Sequence, residues 1–481
     1  MIAEAAGELL QRALSLYQDS ARATSWLDRH LARFAEPLRL AVAGPAETGK
    51  SSLLNALAGD EVAPLKIGDR QVVTWYQGGS APRALAYPPG GAAPWEMGAE
   101  RAERRLRVDL APLGGQQVDR LVVDWPSRQL RDVVLMDTPA LDPEAGPQAL
   151  AGGLTDADAL LYLVRRPHGP ELDVLRTLHG PPSGWAPPVH TMVVLSRADE
   201  LGAGRVDALI SARQVARRYR RTDEVQDLSQ DVVAVAGLVA SAGRTLGEPE
   251  FAALSALAQV PRPELESRLL SADRFVRADA PLPLKPGARE WLLGRFGLFG
   301  LRLATTLIRR GANTVPALAG QLVQRSGLGE LRDAIAQQFT AREDVLKARA
   351  ALLGLEVLLR REPRPGSEQL AAELDRLVSG AHAFAELRVL AALRGGRTEL
   401  PEELAEDAIR LTGGQGVGLL ERLGIEEEVS PAEVQEAIQD ALWHWREQAV
   451  NPALSGVARR AAEVVLRSCE AMLARDPAYA Q

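Results

Sequence analysis

The stretch Gly44-Pro45-Ala46-Glu47-Thr48-Gly49-Lys50-Ser51 decides how this chain is read. It follows an apolar run, Leu38–Ala43, and precedes a helical run, Ser51–Leu57. Two glycines spaced this way before Lys-Ser, between a strand and a helix, form the pattern of a loop that wraps phosphates. Gly44 and Gly49 let the backbone turn tightly, so that successive N–H groups point inward with a helix dipole behind them. On this reading Gly44, Glu47, Thr48, Gly49 and Ser52 contribute to nucleotide binding. Lys50 reaches the β- and γ-phosphates, and the Ser51 hydroxyl binds Mg²⁺.

Three segments downstream complete a nucleotide site. Asp137-Thr138-Pro139-Ala140 follows the apolar strand Val133–Met136, which sets Asp137 at a strand tip where a carboxylate reaches Mg²⁺ through water. Ser196-Arg197-Ala198-Asp199 follows the strand Met192–Leu195. A carboxylate there accepts both the N1 and N2 protons of guanine, a donor pair that adenine lacks, while the Arg197 stem lies over the purine face. By itself this segment reads equally as a helix cap. Thr74, in Val72-Val73-Thr74-Trp75-Tyr76, is the candidate to close on Mg²⁺ and the γ-phosphate, and a plain strand threonine is the competing reading. Gly237, after the strand Val232–Ala236, belongs to a guanine-flanking loop. The expected ligands are therefore GTP or GDP and Mg²⁺, with Lys50, Ser51 and Thr74 as catalytic groups.

Working outward, 481 residues exceed one ordinary core, so two or more domains are expected. The short apolar strands around the loop, alternating with helical or turn-rich segments, predict an α/β domain with a mostly parallel sheet and helices on both faces. Residues 2–34 read as one helix ended by Pro37. Beyond Ser326-Gly327-Leu328 the chain reads as all-α. The stripe Leu328, Leu331, Ile335, Phe339, Leu346, Leu353 and Val357 runs until Pro363, a further helix covers about 367–394, and Gly413 to Gly418 mark a flexible joint. Ser430-Pro431-Ala432-Glu433 is a capping box that opens a last helical stretch interrupted at Pro452. The expected division is 1–36, 37–328 and 329–481.

The formal charge of −7 lacks the basic excess of a nucleic-acid binder, so no nucleic acid is expected as partner. A single cysteine, Cys469, points to a reducing compartment. The acidic start does not read as a signal peptide, and the charge-free stretch from Thr177 to Ser196 is broken by Pro181, Pro182, Pro187 and Pro188. A cytoplasmic protein is expected, with a peripheral place on the inner face of the cell membrane left open.

These residues give the chain a family likeness. Gly49-Lys50-Ser51-Ser52-Leu53-Leu54-Asn55-Ala56-Leu57, Val73-Thr74-Trp75-Tyr76 and Asp137-Thr138-Pro139 resemble bacterial dynamin-like GTPases, especially the shorter isoniazid-inducible, Ini-type proteins of actinobacteria. Ser326-Gly327-Leu328 and Asp344-Val345-Leu346-Lys347-Ala348-Arg349 extend the likeness into the helical part. The resemblance implies a P-loop GTPase domain joined to a helical-bundle neck and trunk, with the N-terminal helix packed into that bundle. It also implies GTP hydrolysis coupled to pairing of GTPase domains, as homodimer or heterodimer with a second dynamin-like protein. Movement of a helical lever in membrane remodelling or maintenance would follow, with lipid as a peripheral partner. Ala140 stands where the family usually has glycine, and Ala46 and Glu47 where it has small polar residues or glutamine. Those departures raise an alternative: a weakly hydrolysing nucleotide-binding subunit that serves a more active partner.

Other features have plainer readings. Arg213, Arg217, Arg218, Arg220 and Arg221, like Glu103-Arg104-Arg105-Leu106-Arg107, read as solvated helix surface. Phe296-Gly297-Leu298-Phe299-Gly300-Leu301 reads as a packed helix rather than a membrane-inserting tip, and Trp443 and Trp445 as core or interface aromatics.

Overall fold

The structure, a computed structural model, describes residues 2–67, 70–89, 93–113, 116–142, 154–179, 189–201, 207–425 and 429–475. The four prolines between 181 and 188 lie outside the described residues. At the N-terminus two helices, α1 (Ile2–Leu16) and α2 (Ala21–Ala32), replace the single one expected over 2–34. Ser20 is the cause: its backbone is extended and its hydroxyl accepts from the Ala23 N–H, a cap that starts a new helix.

An α/β unit follows. It opens with β1 (Leu38–Ala43), α3 (Lys50–Ala58), β2 (Lys66–Ile67), β3 (Arg70–Gln71), β4 (Val73–Gly78), β5 (Arg83–Tyr87) and β6 (Trp95–Met97). A hairpin, β7 (Ala99–Ala102) and β8 (Arg105–Val108), precedes β9 (Arg120–Trp125), β10 (Val133–Asp137), β11 (Ala159–Val164), α4 (Pro170–His179) and β12 (Thr191–Leu195). Then come α5 (Ala208–Arg220), α6 (Asp223–Gln226), β13 (Val232–Ala234), α7 (Gly237–Thr245), α8 (Glu248–Gln259), α9 (Arg262–Arg268) and α10 (Ala272–Val276). The helices α11 (Pro286–Arg309), α12 (Val315–Gln324) and α13 (Leu328–Gln338) close this part.

Nine strands form one sheet in the order β13-β12-β11-β1-β10-β4-β9-β5-β6. The five from β13 to β10 run parallel; β4 joins β10 antiparallel, and the far wing is mixed. Successive side chains alternate between two apolar layers, as a strand buried on both faces requires. Ala41 and Ala43 join one layer with Phe296, Phe299 and Leu301, while Leu40 and Val42 join the other with Leu53, Leu54 and Leu57. The sheet expected from sequence is thus present, with β4, β5 and β6 added to it, while β2–β3 and β7–β8 form two separate two-stranded pairs.

The run 103–107 is corrected: it is the turn and second strand of the β7–β8 hairpin, not a helix surface. Arg104 pairs with Asp60 at 2.9 Å and Arg105 with Glu61 at 2.8 Å, so the charges are spent on the neighbouring loop. In α5, Arg213 and Arg220 pair with Glu330 and Asp231 at 2.7 and 2.6 Å, whereas Arg217, Arg218 and Arg221 are exposed. Among the described residues α11 is the one helix long and apolar enough to cross a membrane. Phe296, Phe299 and Leu301 are buried in the core against the sheet.

The remainder is helical: α14 (Glu343–Arg361), α15 (Ser367–Gly380), α16 (His382–Arg394), α17 (Glu402–Leu411), α18 (Leu419–Leu423), α19 (Pro431–Val450) and α20 (Gly456–Arg475). Three expectations shift here. The stripe from Leu328 is broken by a 3-10 turn, Thr340–Arg342, and Val357 faces solvent. The helix over 367–394 breaks at Ala381. The Gly413 turn is held rather than loose, because Arg342 donates to the Thr412 and Gly413 carbonyls at 2.9 Å each.

Apolar contacts sort these helices by partner rather than by sequence. Leu328, Leu331 and Ile335 of α13 share a core layer with α3 and the sheet. One bundle core joins α1 and α2 to α14 and α15, and a second joins α17, α19 and α20. Ser430 caps α19 with Glu433 reaching back to its N–H at 2.7 Å, the capping box read from the sequence. Trp445 is buried and donates to Asp407 at 2.8 Å; Trp443 is exposed.

Candidate nucleotide site

The loop leaves the central strand β1, whose six residues are all buried, and ends at α3. Gly44 is required by space. A Cβ there would stand 2.4 Å from the Leu163 carbonyl oxygen, at φ +148°. Gly49 caps α3 at φ 85°, in the left-handed region. Glu47 also has positive φ, 58°, and is exposed, so its carboxylate stands away from the cradle. The Thr48 hydroxyl donates to the Pro45 carbonyl at 2.9 Å and braces the turn. Lys50 is buried across the loop, its ammonium donating to the Gly44 and Pro45 carbonyls at 2.9 Å each. Burial lowers its pKa, and the nearby Asp137 opposes that shift.

Asp137 ends β10, next to β1, and is 1% exposed. The adjoining residues lock to the loop: the Thr138 hydroxyl donates to Val42 O at 3.0 Å, and the Leu141 N–H to Gly44 O at 3.1 Å. Burial pushes the Asp137 carboxyl up to about 7, against the pull of Lys50 and a hydrogen bond from Gln71. That Gln71 contact, 3.1 Å from Nε2 to Oδ2, had no signal in the sequence. Asp137 Oδ1 is buried with no hydrogen-bond partner. A partnerless carboxylate oxygen at the end of the strand beside the one that feeds the loop fits a hard cation taking one or two protein oxygens and water.

Thr74 is the second residue of β4, opposite Asp137 in the antiparallel register. It is buried, and its hydroxyl donates to the Val72 carbonyl at 3.0 Å. The structure thus brings Thr74 beside the Asp137 carboxylate but presents it as a strand threonine, with its hydroxyl engaged by the residue just before its strand.

The base side is built at the neighbouring strand ends. A cleft of about 150 Å³ is lined by Thr48, Gly49 and Ser52 from the loop, and by Ser196, Arg197, Asp199 and Gly237 from across it. The Ser196 hydroxyl donates to Val164 O at 2.9 Å, anchoring its segment to β11. Arg197, at φ 48°, donates from Nε to the Glu47 carbonyl at 2.9 Å and pairs with Glu200 at 2.7 Å. Its guanidinium therefore stitches the 196–199 segment to the 44–51 loop, a contact not foreseen in the sequence. Burial raises the pKa of the Asp199 carboxyl. Gly237 starts α7 against Ser52 and Leu53.

No protein-family model matches the chain. Over 470 residues it is 38% identical to the isoniazid-induced protein IniC of Mycobacterium tuberculosis, in the CDC 1551 / Oshkosh and the ATCC 25618 / H37Rv strains. The alignment covers 93% of this chain and 92% of that relative. Two solved structures, both described as an oligomerised bacterial dynamin pair for long-range sensing and tethering of membranes, align with TM-scores of 0.34 and 0.35. Their identities are 13% and 14%, over 99% and 98% of this chain and 76% and 74% of theirs. With 38% identity over 93% of this chain and 92% of that relative, this chain belongs to the family of the isoniazid-induced protein IniC.

Proposed function

We propose that this protein binds GTP with Mg²⁺ in the cleft and hydrolyses its γ-phosphate. The observation that carries this reading is convergence. Residues from four separate segments, 44–52, 137, 196–199 and 237, surround the end of one central strand, and a side chain from the base segment is bonded to the phosphate loop. Asp199 accepts the N1 and N2 protons of guanine, and the Arg197 stem supports the ring. Gly44 and Gly49 shape the loop around the phosphates, and Lys50 exchanges its loop carbonyls for phosphate oxygens. Ser51, and Asp137 through water, would hold Mg²⁺, which supplies charge neutralisation across the β- and γ-phosphates. Thr74 would join only after its hydroxyl leaves the Val72 carbonyl.

Hydrolysis would be coupled to pairing of α/β units and movement of the helical part, in membrane maintenance beside a second dynamin-like protein. A mechanical link supports the coupling. Arg332 of α13 donates to the Ala56 and Leu57 carbonyls at the far end of α3, 3.0 and 3.3 Å away. A displacement of the helix that begins at the phosphates is thereby passed towards α14.

The test is fluorescent-GTP binding. Lys50→Ala is expected to lose binding, and Asp199→Asn to shift preference from guanine to xanthine; unchanged affinity and selectivity would sink the reading. Ala46 and Glu47, both exposed on the loop and neither placed to organise a water, favour a second reading as a slow partner subunit. Single-turnover hydrolysis with and without lipid and a second dynamin-like protein separates the two.

A further inference from the structure

We infer that Gln71 is a positioning residue for the metal-facing carboxylate of Asp137. Its Nε2 donates to Asp137 Oδ2 at 3.1 Å and to the Thr138 carbonyl at 3.3 Å, spanning the side chain and the next backbone group. Among the described residues no other hydrogen bond reaches that carboxylate: Lys50 is committed to Gly44 and Pro45, and Oδ1 is buried without a partner. The last torsion of a carboxylate is broad and two-fold, so nothing intrinsic to Asp137 fixes the plane of its carboxyl group. One donor held on one oxygen narrows that torsion and keeps the other oxygen, which has no partner, in a fixed direction for the cation. Outer partners of this kind set the direction of a ligand, and their loss typically weakens metal binding about 10- to 100-fold.

The placement of Gln71 gives it a second consequence. It lies on β3, paired with Lys66 of β2, in the segment that runs from α3 into β4 and Thr74. The grip on Asp137 is therefore held by the segment between the phosphate loop and Thr74. Movement of that segment releases the carboxylate and changes cation affinity without touching the loop.

This rests on the reading of Asp137 as the metal-facing group, so the experiment separates the two. Full-length wild type, Gln71→Met (similar length, no amide) and Asp137→Asn are loaded with fluorescent GTP and titrated with Mg²⁺, with parallel binding in EDTA and thermal unfolding. For Gln71→Met the Mg²⁺ concentration at half-saturation is expected to rise about tenfold. Affinity in EDTA should stay at the wild-type value, while the melting temperature falls by the separate cost of leaving the buried Asp137 without its hydrogen bond. A half-saturation within about twofold of wild type, or an equal loss in EDTA, overturns the role of Gln71. If Asp137→Asn leaves the Mg²⁺ dependence unchanged, the metal-facing role of Asp137 itself fails, whatever Gln71 does.

Discussion

The phosphate loop and the joint between the α/β unit and the helices use the same chemistry: cationic side chains grip backbone carbonyls or a buried carboxylate. They differ in the distance along the chain. Lys50 reaches carbonyls five and six residues away. At the joint, Arg33 of the N-terminal segment meets Asp158 at 2.5 Å across 125 residues, and Arg332 meets Ala56 across 276. Lys347 of α14 donates to the Glu36 carbonyl at 2.6 Å across 311 residues. The lesson is that a binding loop is a local object, whereas the device that would transmit its state is assembled from contacts no local pattern announces.

The comparison can be broken at the joint first. Asp158 is buried, accepts from Arg33 and also takes the Arg39 N–H at 2.9 Å. Asp158→Ala leaves the Arg33 guanidinium buried without its carboxylate and is expected to cost about 3–5 kcal/mol. Chemical denaturation measures the loss. Fluorescent-GTP affinity measured on the folded protein should stay within about twofold, and a parallel collapse of binding would show that loop and joint are one object.

A pH scan probes the same joint more gently. His30 of α2 packs its ring against Gly354 of α14 and edge-on to Trp26, whose Nε1 donates to the Gly354 carbonyl at 3.0 Å. Burial and the neighbouring Arg33 push its pKa down from 6.5 to about 4. The unfolded chain therefore binds a proton in this window that the folded one refuses, so stability is lost as pH falls from 6.5 to 4. The full effect is on the order of 3 kcal/mol. Asp137, pushed up to about 7, acts with the opposite sign in the same window. The His30 contribution is therefore the difference between wild type and His30→Phe in thermal unfolding against pH; a difference that does not change with pH would remove His30 as a source.

Gly354→Ala comes next. Its Cβ would lie 2.2 Å from His30 Nε2, so α2 and α14 must separate, at a cost of about 1–3 kcal/mol. Far from both regions, Ser430→Ala should cost only about 1 kcal/mol by removing the cap of α19. Denaturant midpoints for the pair rank the two effects; a larger loss at Ser430 would reverse the order argued from packing.

Legible in the sequence were the Gly44–Ser51 turn between a strand and a helix, the strands β1 and β9 to β13 and the capping box at Ser430, while the roles of the loop, Asp137, Asp199 and Gly237 were candidates there and stay proposals. Each is carried by neighbours in the chain: a strand–turn–helix pattern, an apolar run, a cap spaced by three. The Gln71 contact and the Arg197 bond to Glu47 were decided only when the chain closed on itself, whereas the break at Ser20 and the engaged hydroxyl of Thr74 are local bonds that apolar periodicity does not report. The assignment of α13 to the sheet core shows why. In the sequence its apolar stripe runs on into that of α14 although the helices are separated by the turn at Thr340–Arg342, and periodicity reports which face is apolar but not which surface will cover it. Here Leu328 and Leu331 are covered by the α/β unit, while Leu352 and Leu355 are covered by α1 and α2.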